Sequence, residues 1–265
     1  MPDSIPKQRV LATLLRRDRW VILSALAAMT LVTAVESQGM GTAMMRTPWP
    51  ICVSSKSSWG LFELTTIVLM WGVMMVAMMT PAASPMVLAF AGLERQRIGS
   101  TGTVWQQTSS LLVGYLLVWM GFSVLATIVQ WALYSAGVLS ASGMRTANES
   151  VDVVVLAGAG LFQFSSLKSV CLKHCRTPIG FLISEWRLGL RGAFVMGIRH
   201  GLHCVGCCWL LMTLLYVVGV MNIAWGAALA ALVLAERILP GGRWLGRVVG
   251  VILVLAAGGL VAGIV

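Results

Sequence analysis

Three stretches of this chain, Leu64 to Leu93, Gln106 to Met144 and Gly201 to Ala235, contain no Asp, Glu, Lys or Arg. Roughly 20 apolar residues suffice to cross a bilayer as a helix. Hydrocarbon offers no partner to a free backbone amide, so such runs must fold as helices that satisfy their own hydrogen bonds. With 58% hydrophobic and 11% charged residues, the chain has under half the charge of an ordinary soluble domain. It is therefore expected to be an all-α, polytopic helical membrane bundle.

The apolar pattern divides into about seven transmembrane helices, at approximately 20–36, 62–92, 105–137, 151–167, 192–217, 220–236 and 244–264. Residues 1–19 form a tail, and 20–265 form one transmembrane domain. Basic residues set the orientation. Lys7, Arg9, Arg16, Arg17 and Arg19 precede the first span, and Arg95 and Arg97 follow the second. Lys168, Lys173, Arg176, Arg187 and Arg191 fall between the fourth and fifth, and Arg237, Arg243 and Arg247 flank the last link. The opposite loops hold only Arg46, Lys56 and Arg145. The positive-inside rule then places the N-terminus in the cytoplasm and the C-terminus outside. The same placement accounts for the net charge of +10 without nucleic acid as a partner. No Ala-x-Ala site follows the first apolar run, so no cleaved signal peptide is expected. In the second span, Pro81 and Pro85 predict a bend after Thr80 that frees carbonyls near the membrane middle. The fourth span can also be read as a broken or re-entrant helix.

Within the fifth span lies His200-Gly-Leu-His-Cys-Val-Gly-Cys-Cys208. Ionisable groups at membrane depth are costly and mark function. With successive side chains turned by about 100°, His200, His203, Cys204, Cys207, Cys208 and Met196 share about 140° of one helix face. Trp209 points the other way. One face thus gathers imidazole, thiol and thioether donors. Buried Cys is also an ordinary small hydrophobe, and Gly201 and Gly206 suit a close helix contact. Five such donors in nine positions favour a metal. A second cluster, Cys171-Leu-Lys-His-Cys175, has a spacing that metal sites permit without requiring. Reduced thiols are expected there, and Cys52 has no evident partner. Among 16 methionines, Met70, Met74 and Met78 share a face of the second span. Met78 and the His200–Cys208 stretch fall at overlapping depths, about 22 Å and about 12 to 24 Å above the inner ends of their helices. Arg199 needs a counter-charge, for which Glu63, Asp152 and Glu185 are candidates.

These residues carry a resemblance. Ala77-Met-Met-Thr-Pro81, Phe162-Gln-Phe-Ser-Ser-Leu-Lys168, Cys171-Leu-x-x-Cys-Arg-x-Pro178 and His200-Gly-x-x-Cys-x-Gly-Cys-Cys-Trp209 with Leu211-Met212 are similar to a bacterial family of unknown function. That family is described as predicted metal-binding integral membrane proteins. Asn222, Trp225 and Glu236-Arg237 match its end, and the resemblance covers about residues 60–260. It implies His200, Cys204, Cys207, Cys208, Cys171 and Cys175 as carriers of the metal property, and it gives no reaction.

Thiolate, imidazole and thioether donors together suit copper as Cu(I), with zinc second. His200, Cys204 and Cys208 are the first three expected ligands. Cys207 or a second-span residue such as Met74 or Met78 is the fourth, and His203 lies nearby. Whether Cys171 and Cys175 share that site is left open. The expected role is copper handling, meaning binding, delivery or translocation, with a metallochaperone or metalloenzyme as partner. The chain reads as a binding protein rather than an enzyme. Two alternatives remain, a thiol or metal oxidoreductase using Cys207-Cys208 and a non-enzymatic assembly subunit. There is no P-loop to drive transport by ATP.

Overall fold

The computed structural model describes residues 60–98, 101–140, 145–220 and 222–263. The N-terminal tail, the first expected span and Cys52 lie outside these residues. The described chain is helical throughout, apart from one isolated bridge between Leu139 and Thr146. Its helices are α1 (Leu61–Ile98), α2 (Thr101–Ser135), α3 (Glu149–Phe162), α4 (Ser166–Arg176), α5 (Pro178–Glu185), α6 (Gly189–Val218), α7 (Ile223–Ile238) and α8 (Gly242–Val261). Among the described residues α1, α2, α6 and α8 are long and apolar enough to cross a membrane. The pair α3 and α4 adds a fifth passage if its 60° bend is counted within one span. At 16 residues, α7 is about 24 Å long, short of the ~30 Å hydrocarbon core.

Each long helix buries one stripe. On α1 it runs through Ile67, Trp71, Met75, Met78, Ala82 and Met86, steps of three and four that keep to one helical face. Leu69, Val73, Leu125, Ile128, Val154 and Leu255 are exposed on the outside of the bundle. Exposed tryptophans sit near both ends, Trp105 and Trp244 at one and Trp131 and Trp225 at the other. Trp71 Nε1 donates to Gln130 Oε1 at 2.7 Å, and Tyr216 Oη donates to the Ala126 carbonyl at 2.7 Å, fixing how the main core closes.

Helix α1 continues through Pro81 and Pro85. The carbonyl that Pro85 cannot serve is that of Pro81, and Ser84 Oγ donates to it at 2.7 Å. In the same stretch the Met79 carbonyl accepts from Tyr115 Oη at 3.0 Å, and the Ala82 carbonyl accepts from Arg237 Nη1 at 3.3 Å. Partners from α2 and α7 therefore dock on the backbone around the prolines.

Segment 168–191, expected as an interior loop, is instead largely α4 and α5 and the start of α6. Ser165 caps α4 by accepting from the Lys168 amide at 3.1 Å. Lys168 and Arg237, expected among the basic residues of cytoplasmic flanks, are buried at 3% and 6% exposure. Each has found a partner inside the bundle. Lys168 Nζ pairs with Glu236 at 2.7 Å and also donates to Gln163 Oε1, while Arg237 reaches a group of sulfurs.

Candidate metal centre

Helix α6 meets α2 at backbone contact. A side-chain carbon on Gly197 would stand 2.0 Å from the Leu111 carbonyl oxygen, and one on Gly114 would stand 2.3 Å from that of Phe194. Only glycine permits this approach. It places Tyr115 of α2 over the α6 face that carries Met196, His200, Cys204, Cys207 and Cys208, all buried. His203 is half-buried, and Trp209 is 39% exposed on another face.

Cys204 lies at the centre of the polar contacts. Its Sγ is 3.1 Å from Tyr115 Oη and 2.9 Å from Arg237 Nη2. The same guanidinium nitrogen is 3.4 Å from Cys207 Sγ. Cys207 and Cys208 both turn their thiols back to the Cys204 carbonyl, at 3.1 and 3.0 Å. The second cysteine cluster is brought to the same place, because α4 packs on α6. Cys175 is buried in the same core cluster as Cys207. Cys171 is half-buried with its sulfur over Gly206, 2.8 Å from where a side-chain carbon there would stand. His174 meets His203 edge-on, with ring centroids 4.3 Å apart. The five cysteines among the described residues are free thiols.

His200 is 2% exposed, and neither of its ring nitrogens has a hydrogen-bond partner. Its ring lies between those of Tyr115 and Phe181, with centroids 5.7 and 5.5 Å away. A buried polar group without a partner costs about 1–3 kcal/mol, and native proteins keep few of them. An imidazole in this condition has a lone pair free for a ligand.

Met75, Met78 and Met79 belong to the same core cluster as Cys204, Cys207 and Cys208. Met78 Sδ faces α7, 3.9 Å from where a side chain on Gly226 would begin. Of the expected stripe Met78 is buried in the cluster, while Met70 and Met74 are only partly buried against it and Met75 and Met79 point inward in their place. Among the described residues no three His, Cys, Asp or Glu side chains are spaced to hold a metal ion as they stand. Sulfurs, a tyrosine hydroxyl and a guanidinium make up the assembled group.

Of the three carboxylates considered for Arg199, Glu185 is its partner. Arg237 and Tyr115, which complete the sulfur group, are not among the site residues expected from the sequence, where Arg237 figures only as a basic flank and in the family resemblance. The adjacent charges Glu236 and Arg237 at the end of an apolar span are the available signal for the first, and nothing in the sequence distinguishes Tyr115.

Residues 68–260 match a family described as "PpoB2: Copper chaperone". No curated protein and no solved structure is detectably similar to the chain.

Proposed function

The chain belongs to the PpoB2 copper chaperone family, and from that premise we propose that it holds Cu(I) as cargo between α6, α4 and α7, within a membrane-spanning bundle. His200, Cys204 and Cys207 are the first ligands. Cys208, Cys175 and Cys171 form the wider thiol set, with His203, Met74 and Met78 in reserve around it. The observation that carries this reading is His200, which is buried with both ring nitrogens unpartnered one helical turn from Cys204. Soft sulfur donors beside an imidazole favour Cu(I), and zinc is the second choice. The thiols of Cys207 and Cys208 now donate to a carbonyl of their own helix. Losing those protons to a metal frees both to rotate about χ1 toward it.

Four long apolar helices, an apolar outer surface and exposed tryptophans at both ends support a bilayer as the surroundings. In this reading the seven-span topology, the cytoplasmic N-terminus and the single domain 20–265 are retained, in a bacterial inner membrane. A soluble metallochaperone or a metalloenzyme receives or supplies the ion by ligand exchange.

The test is copper analysis of the purified full-length protein after Cu(I) loading. About one firmly held copper per chain is expected, with loss in His200→Ala and Cys204→Ser. Wild-type protein that retains no copper against a moderate Cu(I) chelator overturns the reading.

A further inference from the structure

Arg237 brings a positive charge to the sulfur group, and among the described residues no carboxylate pairs with it. Its sequence neighbour Glu236 is committed elsewhere. Adjacent helical residues point about 100° apart, so Glu236 faces α4 and pairs with Lys168 at 2.7 Å while Arg237 faces α6. Among the described residues Arg237 makes no ion pair with an acid. Its polar contacts are Cys204 Sγ, Cys207 Sγ and the Ala82 carbonyl, and its Nε has none. A guanidinium at 6% exposure in an apolar bundle is expensive unless an anion compensates it. The groups in place to supply that anion are the two thiols.

We propose that Arg237 is the resident counter-cation of the copper site, tuning it to a monovalent ion over a divalent one. The proposal rests on the reading that Cys204 and Cys207 bind the cargo. Two thiolates and Cu(I) sum to a charge of −1, and the guanidinium brings the site to neutrality. The same thiolates with Zn(II) or Cd(II) sum to zero, and the guanidinium leaves an excess positive charge. In a low-dielectric interior the neutral assembly is favoured. Binding releases thiol protons and transfers no electrons. Nη1 stays anchored on the Ala82 carbonyl, beside the prolines of α1, while Nη2 gives up the sulfur lone pairs to the metal.

Ag(I) and Cd(II) separate charge from softness, since both prefer sulfur and differ in valence. The experiment measures Cu(I), Ag(I) and Cd(II) affinities by chelator competition on detergent-solubilised full-length protein, for wild type, Arg237→Gln and Arg237→Lys. The expected result for Arg237→Gln is a loss of roughly ten- to a hundredfold for Cu(I) and Ag(I), with Cd(II) unchanged or tighter. Arg237→Lys, which keeps the charge, should recover most of the monovalent affinity. Cu(I) binding by Arg237→Gln equal to wild type overturns the proposal and leaves the copper site standing. An equal loss of all three ions, unrelieved by lysine, overturns it in favour of a structural role. Wild type that binds no Cu(I) overturns the copper site and the proposal together. Should Arg237→Gln not fold, wild type decides the matter, because Cd(II) held as tightly as Ag(I) overturns the charge rule.

Discussion

Arg199 and Lys168 each meet a carboxylate, yet the two pairs sit in different media. Arg199 and Glu185 are 42% and 30% exposed, so water screens them. Replacing Glu185 with Gln should cost under about 1 kcal/mol, read as a small shift in thermal unfolding. Lys168 and Glu236 are 3% and 2% exposed, and removing one partner strands the other. Lys168→Met should cost about 3–5 kcal/mol, and adding Glu236→Leu should return much of it, because an apolar pair leaves no buried charge behind. A single variant as stable as wild type would contradict this. The same contrast explains what the sequence makes legible at this scale. A cluster of His and Cys in an apolar run needs no partner to be noticed. Arg237 and Lys168 read as flanks because a basic residue at a span's end is ordinarily interfacial, and only the distant Cys204 and Glu236 show otherwise.

Helices α2 and α6 touch through glycine, which makes that crossing intolerant of any side chain. Gly197→Leu should cost at least the roughly 1–3 kcal/mol of an overpacked core, because its first carbon already collides with the Leu111 carbonyl. Gly158 of α3 has nothing within 4 Å of an added carbon, so Gly158→Ala should be neutral or stabilise by up to ~1 kcal/mol. Melting curves of the two purified variants check both statements. Element positions for α1, α2, α6 and α8 are readable because each run outlasts a bilayer and keeps one apolar face. The break at 163–165 is less so. It is held by the Ser165 cap and by Lys168 reaching Glu236, and the second contact spans 68 residues of sequence. Segment 168–191 carries many polar residues and reads as a loop, although α4 is amphipathic and buries Leu172 and Cys175 against its neighbours.

Contacts between helix ends sort the molecule into two poles. Arg176 donates to the carbonyls of Leu239 and Pro240 at one, where Ser110 also reaches the Leu190 carbonyl. At the other, the Thr146 amide donates to the Tyr216 carbonyl, beside Gly219 and Arg145. Arg95, Arg97, Arg187, Arg191 and Arg243 belong to the first pole, and Glu149 and Asp152 to the second. With the basic pole inward, an impermeant maleimide added to intact cells should, in a Cys52→Ser background, label Ala136→Cys and spare Gln96→Cys, both at exposed positions. The reverse pattern would invert the orientation. The brevity of α7 has a consequence for the surrounding lipid. In the proposed bilayer setting, a wall this short beside neighbours of full span would leave the hydrophobic belt uneven, and acyl chains would shorten or tilt along that flank. Bilayer thickness therefore bears on the segment that carries Arg237, and short-chain phosphatidylcholines should hold the guanidinium at the sulfurs with less distortion than long-chain ones.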